Sequence, residues 1–388
     1  MRQQVKLGTI IQQIRGVSYK PTDVRNADDP DAVALLRANN IQDAGLNFDD
    51  LVFVDKKKVS PEQMIRKGDI VICASSGSKN LVGKAAVADC DMPYTFGAFC
   101  KVVRITSMDA AFVGQYFRSP RYRSEISAAS AGANINNIRN EHIDEMYIPV
   151  YTEAEQREIA RQLLHIDALI RDRHEQLTLI DQLVKSRFIE LFGEPLSNTK
   201  GWKTMPIVEA APIKSQRGDL EEEIWLLNLD AVEAQTGAVL FKHRVQSTEI
   251  NASTVYFTTD NVLYSKLRPY LNKVVMPNED GVATSEMITL LPIADLLNRA
   301  YLCYWLRSDA FVKHISEKVA GAKMPRVSMD YFRSLAIEIP PLDLQEQFST
   351  FVEQTDKSKF LHYKALSCCR SAANLYRQEW MTCQTSVS

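Results

Sequence analysis

The sequence has no long hydrophobic run and no regular spacing of metal-binding residues. Within its 388 residues no apolar stretch approaches the roughly 18 residues of a membrane-spanning helix. The N-terminus MRQQVKLGTI lacks the apolar centre of a signal peptide, so we expect a cytoplasmic protein with no membrane partner. The seven cysteines contain no CxxC pair and the six histidines no HExxH spacing, which predicts reduced thiols and no metal site.

Motifs of the enzymes that act on DNA are missing as well. An adenine methyltransferase of the usual kind has a Gly-rich cofactor loop and an Asn or Asp followed by Pro-Pro and an aromatic residue, and neither occurs. No Walker loop is present. The acidic run at 221–223 is more typical of a solvated surface than of a nuclease centre. We therefore expect that the chain itself is not an enzyme.

The charge is nearly balanced but unevenly distributed. A formal net charge of -2 does not by itself indicate a nucleic-acid binder. The stretch 23–55 is acidic, whereas 56–84 is basic, and further basic clusters lie at 118–139, 266–273 and 313–333. These clusters are compatible with phosphate contacts, although a solvated surface with chance clustering explains any single one of them equally well.

The chain is a tandem duplication. The segment IPVYTEAEQREIA has a later counterpart, IPPLDLQEQFSTF, and each precedes a long predicted helix. Phe112–Asn134 aligns with Tyr301–Lys323 without a gap, and the alignment matches Arg118 with Arg307. Because the repeat is long and occurs only twice, it indicates a duplicated domain rather than a solenoid.

Each half contains short β-branched or aromatic runs, such as DIVICA and NVLYSKL, which predict strands. Amphipathic patterns predict helices over 110–129 and 296–319. An Ile-Pro pair then ends each domain, and Thr152 or Asp343 is expected to cap the helix that follows.

Heptad spacing predicts a helix over 152–192, which ends at Gly193 and Pro195, and a second, more polar one over 342–382. We expect the two to pair antiparallel, with the domains at opposite ends of a rod and related by an approximate two-fold axis. The alternative is two separate amphipathic helices, each packed on its own domain. The predicted pairing positions are Ile159, Leu163, Ile166, Ile170, Leu177, Ile180, Val184, Leu191, Phe348, Val352, Leu366, Tyr376 and Trp380.

Several of these segments carry a family resemblance. The Ile-Pro segment with its long helix, SSGSKNLVGKAAV leading to TFGAFCKVVR, INNIRNEHIDEMYIP, and YSKLRPYLNKV in the second half are similar to the specificity subunit of type I restriction-modification systems. The resemblance implies sequence-specific binding of double-stranded DNA at a split site, with one half-site for each domain and a gap set by the helices. It also implies no catalysis and no cofactor in this chain, because S-adenosylmethionine, and ATP with magnesium, would serve partner subunits.

The resemblance implies an α+β protein with two similar mixed α/β target-recognition domains, separated by two long antiparallel coiled-coil-like helices in a pseudo-two-fold repeat. The expected boundaries are 1–151 for the first domain, 152–194 for the first helix, 195–341 for the second domain, 342–382 for the second helix and 383–388 for a tail. Methyltransferase subunits and restriction or translocase subunits are the implied partners. The alternative function is a protein-interaction scaffold without DNA, whose binding need not weaken with salt.

Candidate DNA contacts in the first half lie in three places, each with a structural alternative. The Ser-rich loop and the Asn-rich turn carry groups that can read bases, yet both also suit ordinary surface turns. Three arginines of the basic cluster at 118–139 are expected to hold phosphates, while one of them, Arg118, suits a structural salt bridge equally well. The residues are Ser75, Ser76, Ser78, Lys79, Asn80 and Lys84, then Asn134, Asn136 and Asn137, and finally Arg118, Arg121 and Arg123.

In the second half the corresponding loop is SKLRPYLNK, followed by the turn GAKMPRV. The two halves differ most at these places, as two domains that read unlike half-sites would require. For Lys323 and Arg326, in the second of these segments, simple surface solvation is the alternative. The candidates are Lys266, Arg268, Tyr270, Asn272 and Lys273, with Lys323 and Arg326.

Overall fold

The computed structural model of the chain describes residues 2–42, 45–78, 81–130, 137–215, 222–250, 254–319 and 324–382. These residues form two compact units. The first comprises Met1–Glu175 with Tyr363–Ser388, and the second comprises Gln176–His362. Each unit therefore combines a mixed α/β portion with part of each long helix.

The first unit contains an antiparallel sheet of order β2-β10-β7-β8 and a mixed sheet β6-β3-β9 in which β3 and β9 are parallel. Strand β1 pairs with β11, and β4 with β5. The strands are β1 Gln4–Lys6, β2 Ile11–Arg15, β3 Ala32–Leu36, β4 Ile41–Gln42, β5 Gly45–Leu46, β6 Val52–Asp55, β7 Ile70–Cys73, β8 Ala85–Val87, β9 Tyr94–Phe96, β10 Cys100–Ile105 and β11 Tyr147–Pro149. The helices are α1 Ala110–Phe117, α2 Pro120–Ser130, α3 Asn140–Asp144 and the long α4 Glu153–Phe192.

The second unit repeats this plan with sheets of order β14-β13-β18-β15, β17-β16-β19 and β12-β20. Strands β13 and β18 are parallel, as are their counterparts β3 and β9. The strands are β12 Lys203–Pro206, β13 Glu223–Leu227, β14 His243–Gln246, β15 Thr254–Phe257, β16 Val262–Ser265, β17 Val274–Val275, β18 Gly281–Thr284, β19 Met287–Leu290 and β20 Ala336–Ile339. The helices are α5 Ile207–Ala210, α6 Arg299–Arg307, α7 Asp309–Ser316, α8 Met329–Ser334 and the long α9 Leu342–Thr382.

The predictions of single helices over 110–129 and 296–319 are wrong, because each segment folds as two helices. Helix α1 ends before Ser119, whose hydroxyl accepts the backbone N–H of Tyr122 at 3.2 Å. Helix α6 ends before Ser308, whose hydroxyl accepts the N–H of Phe311 at 3.2 Å. These matched serines act as N-caps of the second helix in each pair, and a serine at a cap competes with helix continuation.

The two long helices are confirmed, with 40 residues in α4 and 41 in α9. Thr152 caps α4 as expected, since its hydroxyl accepts the N–H of Glu155 at 3.3 Å while the Glu155 carboxylate accepts the N–H of Thr152 at 2.8 Å. The cap predicted at Asp343 is wrong, because α9 begins one residue earlier and Asp343 lies in its first turn. Gly193 ends α4 at a φ of 82°, a conformation that favours glycine.

Within each unit the two long helices run antiparallel. In the first unit Asp167 pairs with Arg377, and His174 accepts a hydrogen bond from Arg370, so residue numbers rise on one helix as they fall on the other. In the second unit Lys359 of α9 reaches Asp181 of α4 at 2.6 Å. There α4 and α9 also meet through aromatic rings of Phe188 and Phe348.

The long helices also pack on the mixed portion of their own unit. In the first unit Ile159 and Leu163 share one apolar cluster with Phe112 and Tyr116 of α1. In the second, Phe188 and Phe348 share a cluster with Trp305 of α6 and its neighbours. Pairing between helices and packing on a domain, which the sequence presented as alternatives, therefore occur together.

Most of the predicted pairing positions are at least partly buried, but Tyr376 is wrong because it is 41% exposed. The neighbouring Arg377 takes the inward position and is 5% exposed. Asp167 is 2% exposed although a strict heptad step would place Ile166 there. The buried stripe of α4 therefore includes Asp167 and Phe188, two positions that the predicted pairing set omits.

A buried glutamine joins the first long helix to its unit. Gln156, in the first turn of α4, donates from Nε2 to the carbonyl oxygen of Tyr151 at 2.7 Å. Its Oε1 accepts the backbone N–H of Asp109 at 2.8 Å, and Asp109 is the N-cap of α1. One amide thus satisfies two backbone groups that lie at helix starts, where intrahelical partners are lacking.

The second unit uses the same arrangement. Gln345, which is 0% exposed, donates to the carbonyl oxygen of Pro340 at 2.8 Å and accepts the N–H of Asn298, the N-cap of α6, at 2.8 Å. In each unit the glutamine that follows the Ile-Pro motif is therefore a structural connector. It joins the start of the long helix to the first helix of the preceding pair, which is α1 in the first unit and α6 in the second.

Replacing Gln345 by alanine is expected to lower the free energy of unfolding by about 2–4 kcal/mol. The change leaves the N–H of Asn298 and the carbonyl of Pro340 buried without this partner, and each such group costs about 1–3 kcal/mol. Urea denaturation followed by circular dichroism measures the loss. Gln347→Ala, at an exposed position in the same helix, serves as control and should change stability by less than about 0.5 kcal/mol. Equal stability of both variants would contradict the connector role.

Candidate nucleic-acid interface

In the first unit the Ser-rich loop and the Asn-rich turn lie side by side. Ser75 and Asn137 form an isolated antiparallel bridge, and the N–H of Ile138 donates to the carbonyl of Ala74 at 2.8 Å. The Ser-rich loop follows strand β7, and α3 begins shortly after the Asn-rich turn. Asn137 is exposed, while Ser75 is half-buried. The two predicted segments therefore meet at one surface.

The second unit brings the equivalent segments together in the same way. Leu267 and Arg326 form an isolated antiparallel bridge, and the N–H of Val327 donates to the carbonyl of Lys266 at 3.0 Å. The N–H of Arg268 reaches the carbonyl of Pro325 at 2.8 Å. The two units thus share one backbone arrangement at this place but carry different side chains on it. We call this surface the loop-bridge surface of each unit, centred on Ser75–Asn137 or Leu267–Arg326.

On the first unit's loop-bridge surface, Ser76 and Ser78 are linked locally, since the N–H of Ser78 donates to the Ser76 hydroxyl at 3.2 Å. Ser75 and Ser76 line a cleft of about 760 Å³. The sequence analysis missed the other polar and aromatic residues there, among which Phe99 is 70% exposed. The signal was an aromatic side chain two residues after the glycine of the turn TFGAF. The missed lining residues include Tyr19, Arg37, Asn39 and Phe99.

On the second unit's loop-bridge surface three predicted contacts face outward. Arg268 is exposed and has a φ of 50°, which turns the chain sharply before Pro269. Tyr270 is 46% exposed, and Lys266 is half-buried. A lysine, an arginine and a tyrosine on one turn offer hydrogen-bond donors and one stacking face.

Arg326 forms an ion pair with Glu286 at 2.9 Å and donates to both carboxylate oxygens. These hydrogen bonds raise the pKa of the Arg326 guanidinium above its usual value. The pair is solvent-accessible, with 45% of the arginine side chain and 24% of the glutamate exposed. Exposed ion pairs contribute little to stability, so Arg326 can exchange this partner for another anion at small cost.

Two predicted contacts in the second unit point inward instead. Asn272 is 2% exposed, has a φ of 50° and donates to the carbonyl of Arg307 at 3.0 Å. The ammonium of Lys273 donates to the carbonyl of Leu229 at 2.6 Å, and burial lowers the pKa of this lysine. Both side chains hold the turn in shape, and we leave them out of the proposed contact surface.

The three arginines expected to hold phosphates make intramolecular contacts. Arg118 pairs with buried Asp167 at 2.8 Å, which is the structural salt bridge considered as its alternative. Arg121 pairs with Glu125 and donates to the carbonyl of Met381. Arg123 donates to the carbonyl of Val82 at 2.9 Å, and Lys84 in the same loop is half-buried.

Five further predicted contacts lie outside the described residues and stay predictions. They are Lys79, Asn80, Asn134, Asn136 and Lys323. Among the residues that the structure does describe, no cluster of three or more His, Cys, Asp or Glu side chains could hold a metal ion. None of the helices in this described part is long and apolar enough to cross a membrane.

Comparison with known proteins shows which proteins parts of the chain are similar to. Residues 198–365 match the family described as the Type I restriction modification DNA specificity domain. The EcoKI specificity subunit of Escherichia coli (strain K12), a type I restriction enzyme subunit, is 41% identical over 180 residues, which are 46% of this chain and 39% of that protein. The StySPI specificity subunit of Salmonella potsdam is 39% identical over the same shares of both chains. The resemblance to type I specificity subunits is thus confirmed, and the chain matches 39% of the length of these two relatives.

The fold has a counterpart among solved structures. The S subunit of a type I restriction-modification system from M. genitalium aligns over 99% of this chain and 97% of its own, with a TM-score of 0.53 and 14% sequence identity. A chain from a structural study of type I R-M complex assembly aligns with a TM-score of 0.52. At this level of identity the likeness concerns the mixed α/β fold alone.

Replacing Asn272 by alanine is expected to destabilise the second unit by about 1–3 kcal/mol. The variant loses the hydrogen bond to Arg307 and keeps a left-handed backbone that alanine adopts at a cost of roughly 1–2 kcal/mol. Asn272→Gly loses the same hydrogen bond but tolerates the backbone, so it should be the more stable of the two in urea denaturation. An alanine variant of normal stability with altered DNA preference would return Asn272 to the contact surface.

Proposed function

We propose that this chain is a sequence-specific DNA-binding specificity subunit of a type I restriction-modification complex. The observation that carries the proposal is the loop-bridge surface, which occurs once in each unit on the same backbone frame with different side chains. A shared frame with unlike side chains is what recognition of two unlike half-sites requires. The match of residues 198–365 to a DNA specificity domain supports this assignment.

In this proposal each half of the chain is one target-recognition domain, at 1–151 and 195–341. Lys266, Arg268 and Arg326 carry donors suited to guanine or to phosphate, and Asn137 carries an amide suited to adenine. The long helices set the gap between the two half-sites, because a helix of 40 residues has a fixed length of roughly 60 Å. The target is accordingly bipartite with a constant gap.

The chain has no catalytic role in this proposal, and methyltransferase subunits dock on it. The long helices support docking because they expose several large apolar side chains, which a partner subunit can cover. Phe360, Leu361 and Leu375 of α9 are 67%, 66% and 67% exposed, and Leu179 and Leu183 of α4 are 54% and 53% exposed. Methyl transfer from S-adenosylmethionine, and cleavage driven by ATP, belong to partner subunits.

Selection from a random DNA library by the full chain with a candidate methyltransferase subunit tests the proposal. We expect two conserved sequence blocks at a fixed spacing, and binding that weakens steeply with salt because phosphate contacts release counterions. Enrichment of no sequence, together with a stable complex that ignores salt, would favour the protein-scaffold function instead.

The double variant Lys266→Gln with Arg268→Gln should relax base preference in one block and leave the other unchanged. Each lost bidentate contact is expected to remove about 1–3 kcal/mol of discrimination at its base pair. Repeating the selection with the variant measures the effect. Lys203→Gln, an exposed lysine in β12 of the same unit, is the matched control and should leave both blocks intact. Equal loss in both blocks would contradict base reading by this turn.

A further inference from the structure

Phe99 exposes an aromatic ring at the loop-bridge surface of the first unit. Its side chain is 70% exposed. Phe99 lies between β9 and β10, where the N–H of Cys100 donates to the carbonyl oxygen of Gly97 at 2.8 Å and closes a β-turn. A single exposed apolar side chain is common on protein surfaces. The place of this ring in the fold therefore decides whether it has a role.

The backbone of Phe99 is held by the Ser-rich loop. Its carbonyl oxygen accepts the N–H groups of Ala74 at 2.9 Å and of Ser75 at 3.0 Å. Ser75 in turn forms the bridge to Asn137. The three segments lie side by side, and adjacent segments paired in this way are about 4.8 Å apart. The backbone of Phe99 is therefore about 10 Å from that of Asn137, and hydrogen bonds fix it before any partner binds.

The repeat places a different residue at this position in the second unit. There the N–H of Lys266 donates to the carbonyl oxygen of Glu286 at 3.0 Å. In the first unit the N–H of Ala74 donates to Phe99 in the same way. Ala74 and Lys266 correspond, because each also accepts the N–H of the residue that follows the bridge. Phe99 and Glu286 directly precede the matched strands β10 and β19, so they occupy one backbone position.

The two side chains at this shared position differ in chemistry. The Glu286 carboxylate accepts hydrogen bonds from the Arg326 guanidinium on both of its oxygens, whereas Phe99 offers an apolar ring. An arginine fork matches the two acceptors of a guanine edge, and an aromatic side chain suits the methyl group of thymine. The position is thus charged in one unit and apolar in the other, at a surface whose backbone the two units share.

We propose that Phe99 is a specificity-determining residue of the first unit, which contacts the 5-methyl group of a thymine in the major groove. This contact rests on the proposed function, because it requires that the loop-bridge surface faces DNA. The thymine methyl is the apolar group that base edges present in the major groove, so the ring favours an A·T pair in one orientation. A separation of about 10 Å spans about three base-pair steps of 3.4 Å. The thymine therefore lies within about three base pairs of the base that Asn137 contacts.

Deoxyuridine tests the contact at single positions, because it differs from thymidine in this methyl group alone. The full chain, with a candidate methyltransferase subunit, is bound to DNA that carries the selected motif, and each thymine of both blocks is replaced in turn. For the wild type we expect one replacement to weaken binding about fourfold, which is the effect of burying one methyl group. That thymine should lie in the block that Lys266→Gln with Arg268→Gln leaves unchanged.

In Phe99→Ala the same replacement should have no effect, whereas Phe99→Leu keeps an apolar contact and should retain part of the response. Because the ring is 70% exposed, Phe99→Ala should unfold at the same urea concentration as the wild type, which separates a lost contact from lost folding. Phe241→Ala, at an aromatic residue that is 51% exposed in the second unit, is the matched control and should respond as the wild type does.

A Phe99→Ala chain that responds to every replacement as the wild type does would overturn the proposal. A wild-type chain that responds to no replacement in that block would overturn it too. Both results leave the selected motif in place, so they refute the role of Phe99 alone. Selection of no motif would instead refute the proposed function together with this contact.

Discussion

The first unit depends on the hydrogen bonds that the buried carboxylate of Asp167 accepts. Asp167 is 2% exposed and accepts hydrogen bonds from Arg118, Gln115 and Arg377, so α1, α4 and α9 meet at one charge. A buried ion of this kind is costly to desolvate and is tolerated only with a full set of partners. Any displacement of α9 would leave Asp167 with fewer donors, and the helix pair is thereby held in one register against the unit.

The second unit solves the same packing problem with aromatic rings. Phe188 occupies the position equivalent to Arg377, Tyr304 that of Gln115, and both pack against Phe348. The two helix ends are therefore packed by different chemistry, a buried ion pair in the first unit and aromatic rings in the second. The duplicated chain thus repeats one plan of strands and helices, while the side chains at the two helix ends differ.

The sequence predicted the repeat, both long helices and the segments that meet at the loop-bridge surface, because periodicity, caps and turn residues are local signals. It did not predict that Asp167 and Arg377 are buried. The pairing positions were chosen from apolar residues alone, and this choice leaves out a charged pair. Asn272 was misjudged for the opposite reason. An amide in a polar turn resembles a surface contact until the left-handed backbone turns it inward.

The most direct measurement is a map of methylated adenines across the genome of a host that expresses this chain with a candidate methyltransferase partner. Our account predicts methylation at one split motif with a constant gap, present only when both proteins are expressed. Single-molecule sequencing of the DNA supplies the motif and the gap together. A stable complex of the two proteins without any new methylation would contradict the assignment of the chain as a DNA-reading subunit.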